Sequence, residues 1–265
     1  MKSIVKKILL NRIYPVLSPS LGGIKMRLNH LVNGSVFIRN YEPDKQAILK
    51  YFVQEGSTVF DIGANVGLHS FFCNKNIRNT TVHAFEPFAD NQAYFKEVVR
   101  INQLQHIHLH PFAVGEKDGT AYFEQGHSNF TGKVSQQKAG VKIDIIQLDS
   151  WINKNGIIPD FLKIDVEGHE SQVLKGAAEL LRRQTAIFLI ELHSPEQDAE
   201  VAQLLDDSGY EFYRVNPNAK GNTALLIKIV NKKATWPDTS GVWGNILALP
   251  KAKAGQLPET LFTNN

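Results

Sequence analysis

Short apolar runs alternate along the chain with stretches in which apolar residues recur at helical spacing. Thr58-Val59-Phe60-Asp61-Ile62, Thr81-Val82-His83-Ala84-Phe85 and Ile107-His108-Leu109 read as strands, with amphipathic helices over Gly67 to Asn76 and Asn91 to Ile101 between them. Phe161 to Ile164 and Ala186 to Ile190 give a fourth and fifth strand, joined by a helix over roughly Ser171 to Leu181. Ser194, Pro195 and Gln197 open the next helix as cap, first helical residue and back-reaching amide, and Gly209 closes it. Such alternation needs crossover connections, which build a mainly parallel sheet covered on both faces. Two stretches break the rhythm. Thr120 to Phe123 and Val141 to Ile146 predict an inserted β-hairpin, and Phe212 to Val215, Leu225 to Val230 and Ile246 to Leu249 predict an antiparallel C-terminal strand group. The fold class expected is α/β, a doubly wound Rossmann-like sheet with these two additions.

Residues 1–40 read as an N-terminal extension and linker, with Pro15 to Gly23 as the linker proper; residues 41–250 read as the folded domain and 251–265 as a loose polar tail. The first twelve residues set Lys2, Lys6 and Lys7 among Ile4, Val5, Ile8, Leu9 and Leu10, the pattern of a short helix packed on the domain or a partner, with weak peripheral membrane contact as the second reading. No stretch has the form of a secretory signal or of a membrane span of ~18 apolar residues. With 43% hydrophobic and 21% charged residues, the composition is that of a globular protein. The 29 Lys and Arg against 26 Asp and Glu leave a net charge of +3, so no nucleic-acid partner is expected. A single cysteine, Cys73, excludes an internal disulfide and a cysteine-based zinc site, and a cytoplasmic location is expected.

Chemistry concentrates where the strands end. In a doubly wound sheet, ligands sit beyond the carboxyl ends of the strands. The first strand runs into Asp61-Ile62-Gly63-Ala64-Asn65-Val66-Gly67, a glycine turn that lacks the middle glycine of a dinucleotide fingerprint. Asp61 could hold an ammonium group or order the turn, and Glu86, closing the second strand, could accept both hydroxyls of a ribose. S-adenosylmethionine suits these features, with its cationic amino-acid end and no phosphate. NAD would suit Glu86 equally.

Together, Asp61 to Gly67, Phe85-Glu86-Pro87, Asp160 to Glu170 and Val173-Leu174-Lys175-Gly176 make the chain resemble the FkbM family of S-adenosylmethionine-dependent methyltransferases. The resemblance runs from about Val32 to Pro250 and takes in Tyr41-Glu42-Pro43, Leu148-Asp149 and Ile190-Glu191-Leu192-His193. It implies a class I methyltransferase fold and, usually, methylation of a hydroxyl on a sugar, glycan or natural product. It also implies that Asp61, Gly63, Ala64, Asn65 and Gly67 line the methionine part of the cofactor, that Glu86 holds the ribose and that Ala113 flanks the adenine.

Asp165 with Glu167, and Glu191 with His193, fall at the ends of the fourth and fifth strands, two residues apart in each pair and so on one face. Buried charge is costly unless paired or used, so a functional cluster is expected there, with ion pairing to Lys163, His169 or an arginine, or exposure at the sheet rim, as the alternative. His193 is the best general base by intrinsic pKa, with Asp165 or Glu191 orienting its ring. The alternative is Mg²⁺ held by Asp165, Glu167 and Glu191. His106, His108 and His110 are expected to face solvent or a partner. Trp236 is a candidate substrate wall and Glu124 to Gly140 a candidate acceptor lid. Two rival readings remain open: a nicotinamide-dependent oxidoreductase, and a non-catalytic module that keeps the fold.

Overall fold

The computed structural model describes residues 12–29, 31–32, 34–125, 132–135, 140–219, 224–236 and 238–263. The basic helix expected over the first residues and most of the candidate lid lie outside this set. The described chain enters as an antiparallel pair, β1 (Ile13–Pro15) and β2 (Lys25–Arg27). Pro15 to Gly23 is not a free linker, because Val16 and Leu21 within it and Met26 beyond it are buried in the core.

The first half of the main domain runs α1 (Pro43–Phe52), β3 (Thr58–Ile62), α2 (Leu68–Asn76), β4 (Thr81–Phe85), α3 (Ala89–Asn102) and β5 (Ile107–His110). The insertion follows: β6 (Ala113–Gly115), β7 (Gly119–Gln125), β8 (Gly132–Ser135) and β9 (Val141–Gln147). It is larger than the expected hairpin, a separate four-stranded sheet in the order β6-β9-β7-β8. The second half runs α4 (Leu148–Asn155), β10 (Phe161–Ile164), α5 (Glu170–Lys175), α6 (Ala178–Arg183), β11 (Ile187–Glu191), α7 (Pro195–Asp207), β12 (Tyr210–Val215), β13 (Leu226–Ile227), β14 (Asn245–Pro250) and α8 (Lys251–Ala254).

The eight strands of the main sheet lie in the order β13-β12-β14-β11-β10-β3-β4-β5. The chain builds outward from β3 to β5, then restarts on the other side of β3 with β10 and β11. The order therefore reverses between β3 and β10, which opens a crevice at their carboxyl ends. Val59 and Phe60, adjacent on β3, pack into separate apolar clusters on the two faces of the sheet.

Two local expectations are revised. The helix read over Ser171 to Leu181 parts at Gly176 into α5 and α6. Its carbonyl accepts the Asp149 N–H at 2.9 Å, and the Asp149 carboxylate accepts the N–H groups of Glu179 and Leu180 at 2.7 and 3.1 Å, capping α6 from outside. At the start of α7 the Ser194 hydroxyl does accept from the Gln197 N–H, but the Gln197 side chain turns to Ser171 instead of reaching back. The C-terminal stretch is not loose either. It forms α8 and a 3₁₀ turn over Glu259–Leu261 that buries Leu261 and Phe262.

Candidate active site

One cavity of about 660 Å³ fills the crevice, within the ~300–1,000 Å³ usual for small-molecule sites. Gly63, Ala64, Asn65, Glu86 and Ala113 line it, and so do Asp165, Glu167 and Glu191 from the other side of the reversal. The glycine turn and the acid cluster thus share a single space. Ala113 opens β6 of the inserted sheet and does not close the third strand of the core; it still faces the cavity.

Gly63 has φ +76°, and a Cβ there would stand 1.9 Å from the Asp165 carbonyl oxygen. Only a residue without a side chain lets the β3 turn touch the exit of β10. Gly63→Ala is therefore expected to weaken S-adenosylhomocysteine binding by about tenfold or more in calorimetry; undiminished affinity would refute this reading of the turn. Asp61 and Gly67 do not line the cavity. Asp61 is buried behind the turn, accepting the Ser70 hydroxyl at 2.6 Å and lying 3.4 Å from the Lys163 ammonium. A Cβ on Gly67 would meet the rings of Phe95 and Phe71, so this glycine serves packing.

Glu86 is 3% exposed. Its carboxylate accepts N–H groups from Asn65 at 2.8 Å, Phe88 at 2.9 Å and the Asn91 side chain at 3.2 Å. Burial nonetheless raises its pKa above the ordinary carboxylate value. Three donors leave about one of its four lone-pair sites for a ligand hydroxyl. Asn65 Oδ1 is a buried acceptor with no protein partner. This donor set fits an adenosyl group with an amino-acid tail: one open carboxylate site for a ribose hydroxyl and one free amide oxygen for a cation.

Two buried lysines organise the acids. Lys163, 4% exposed, reaches Asp165 at 3.2 Å and donates to the Gly63 carbonyl at 3.1 Å. Lys45, 2% exposed, pairs with Glu191, with Glu42 at 3.1 Å and with Asp165 at 3.6 Å. Burial works against the charged form of Asp165, yet Lys163, Lys45 and then His193 outweigh it and hold this carboxyl well below the usual range. Burial and the charge of Asp165 push Glu191 up, opposed by Lys45.

His193 does not line the cavity. It stands one side chain behind the wall, with Nε2 3.6 Å from Glu167 and 3.8 Å from Asp165. Its ring is oriented neither by Asp165 nor by Glu191. The partner is Glu170, fully buried, 2.9 Å from Nδ1. Burial alone would lower the pKa of His193. The hydrogen bond and charge of Glu170, then the charges of Asp165 and Glu167, raise it to about 9. The imidazole is therefore protonated at neutral pH.

Glu167 sits at φ 56°, and Glu42 and Asn65 at φ 44° and 52°; all three line the cavity. Left-handed backbone at non-glycine residues costs about 1–3 kcal/mol each and gathers at functional sites. Other expectations fall away from this space. Trp236 is exposed and packs edge-on against Trp243, 5.0 Å between centroids, without lining the cavity. His106 and His108 face solvent as expected. His110 instead turns inward, its Nε2 3.0 Å from His83 Nδ1. Burial and the neighbouring imidazoles lower both of these groups to about 4. Glu42 and Glu170 enter the sequence reading only as motif residues without a role, and Lys45 does not enter it. Lys45 is one of two lysines in α1, and Glu170 has the pattern of an ordinary acid in a first helical turn.

The doubly wound sheet, the reversal between β3 and β10 and the adenosyl-shaped donor set define a class I S-adenosylmethionine-dependent methyltransferase. The chain belongs to the FkbM family: the Methyltransferase FkbM domain matches residues 61–212, more than half of its length. It is 28% identical over 172 residues to the hexuronic acid methyltransferase AglP of Haloferax volcanii, covering 63% of this chain and 69% of that one. It is also 22% identical over 184 residues to Methyltransferase 1 of Beauveria bassiana, covering 59% and 73%. The crystal structure of a methyltransferase FkbM from Methylobacillus flagellatus matches 72% of this chain with a TM-score of 0.48 and 19% identity, and the match spans 43% of that longer chain. Membership sets aside both the oxidoreductase and the non-catalytic module. No helix among the described residues is long and apolar enough to cross a membrane.

Proposed function

We propose that the enzyme methylates a hydroxyl oxygen of a sugar or glycan acceptor, with Glu167 taking the proton. The observation that carries this is the position of Glu167: a carboxylate on the cavity wall that faces the imidazole of His193 and, among the described residues, pairs with no lysine or arginine. Asp165 and Glu191 share the wall but are held by lysines. Kinship with a hexuronic acid methyltransferase supports a carbohydrate acceptor.

Bound S-adenosylmethionine supplies a sulfonium-activated methyl group. The residues of this chain bind it, align the acceptor and dispose of the proton. Gly63 to Asn65 and Glu86 form the donor side, and Asp165, Glu167 and Glu191 the acceptor side. Holding two reactants in line can be worth ~7–11 kcal/mol. A sugar hydroxyl is about as weak an acid as water, so a base is needed as the new bond forms. Burial, with smaller contributions from Asp165, Glu191 and Glu170, raises Glu167 above the usual carboxylate value, while His193 opposes the shift. A raised pKa makes it the stronger acceptor. The role given to His193 in the sequence thus passes to Glu167, with His193 as a positioning residue.

Asp165, Glu167 and His193 come within 4.8 Å of one another, as metal ligands would. The donors do not fit Mg²⁺: Asp165 already faces two ammonium groups, Glu191 is paired with Lys45 and His193 carries a proton. Turnover is accordingly expected to be unchanged by EDTA, and restoration of a lost activity by Mg²⁺ would overturn this. The acceptor class is tested by incubating the enzyme with S-adenosylmethionine and either a uronic-acid oligosaccharide or a peptide; transfer to the peptide alone would refute it.

A further inference from the structure

The near-neutral total charge hides an imbalance. Residues 1–41 contain seven Lys and Arg and no Asp or Glu, leaving 22 Lys and Arg against 26 Asp and Glu in the rest. Of the seven, Arg27 is tied to Glu97. The basic arm also presents apolar residues outward. Along residues 13–20, Ile13, Pro15, Leu17 and Pro19 are exposed while Val16, Ser18 and Ser20 are buried. A solvated edge would show the opposite pattern, serines outside and aliphatics inside. Leu17 is 72% and Ile38 64% exposed. The Leu17 N–H donates to the Phe37 carbonyl at 2.7 Å, which sets the two segments side by side. Single exposed aliphatics need no explanation, but an apolar stripe on an acid-free arm does.

We propose that this arm docks the enzyme on an anionic lipid bilayer, with Ile13, Leu17 and Ile38 entering the interfacial layer and the exposed Arg12 and Arg39 beside them drawn to the headgroups. Apolar insertion and basic charge together are the two signals that stable interfacial binding needs. The outward apolar residues Ile13, Leu17 and Ile38 are aliphatic and offer no ring on which a base could stack, which favours lipid over nucleic acid. The arm also carries Leu31, Val32 and Val36, which line the catalytic cavity, so docking would bring that cavity close to the membrane. The proposal is independent of which acceptor is methylated.

The test is co-sedimentation of the full chain with vesicles of phosphatidylcholine alone, or of phosphatidylcholine and phosphatidylglycerol in equal parts. Binding to the mixed vesicles, weakened by salt, is expected. Leu17→Ser with Ile38→Ser should lower partitioning by about tenfold or more. Arg12→Gln and Arg39→Gln should each lower it by about fivefold. Unchanged S-adenosylhomocysteine affinity in every variant reports that the fold is intact. Failure of the wild-type chain to sediment with mixed vesicles would overturn the proposal, as would full binding by the Leu17/Ile38 variant. So would a change of that variant from dimer to monomer in sedimentation equilibrium, or retention on nucleic acid without binding to vesicles.

Discussion

Glu167→Gln is expected to lower kcat by about 10²–10⁴, the usual worth of a positioned base, with S-adenosylhomocysteine affinity unchanged. The amide keeps the size of the side chain and loses only the capacity to take a proton. The pH profile adds a second readout. Glu167 must be ionised, and burial raises its pKa, so the acid limb of kcat/KM should fall above the ordinary carboxylate range. His193 must keep its proton, because this positive charge is what lets Glu167, Asp165 and Glu170 stand together. Activity should therefore fall as pH rises through about 9. Stability follows the same sign. The folded pKa of His193 lies above the unfolded value of ~6.5, so its contribution is complete below that pH and is lost as pH rises through about 9. His193→Gln should remove the alkaline limb. A rate that climbs through pH 9 would instead make His193 the base and refute the assignment to Glu167.

Lys163→Met is expected to cost about 3–5 kcal/mol of stability, because it leaves buried Asp61 and half-buried Asp165 without their shared cation. For a chain of this size that is a fall in Tm on the order of 10 °C. Asp61→Asn on the same background should recover part of the loss, since the two residues form one network. Denaturant unfolding with an unchanged m-value measures both. A loss below about 1 kcal/mol would mean that water, not Lys163, neutralises these acids.

The parallel core was legible because its strands are apolar on both faces and end in turns that only a few residues can make. Asp61 to Gly67 and Phe85-Glu86-Pro87 announced the donor side in the same way, and the cavity holds Gly63, Ala64, Asn65 and Glu86. Asp61 and Gly67 carry the same motif signal yet support the turn from behind. Residue type cannot tell a residue that touches a ligand from one that holds the residue that does. The lysines were legible only in part, Lys163 as an ion-pair partner of the acids and Lys45 not at all, for a related reason. Lys163 lies within the apolar run Phe161 to Ile164, where nothing local states that its ammonium crosses to the neighbouring strand. Lys45 meets Glu191 across 146 residues, a contact that only the closed fold creates. The N-terminal segment misled differently: its prolines and glycines read as a linker, whereas the alternation of exposed and buried residues belongs to a chain packed along the core.

The central claim is that one cavity joins the donor turn to an acid that takes a hydroxyl proton. Its most direct test is mass spectrometry of a uronic-acid oligosaccharide after incubation with enzyme and S-adenosylmethionine carrying a deuterated methyl group. The account predicts a deuterated methyl ether on a ring hydroxyl, formed by the wild-type enzyme and nearly absent with Glu167→Gln. A methyl ester on the carboxylate, a label on nitrogen, or equal transfer by the variant would contradict it.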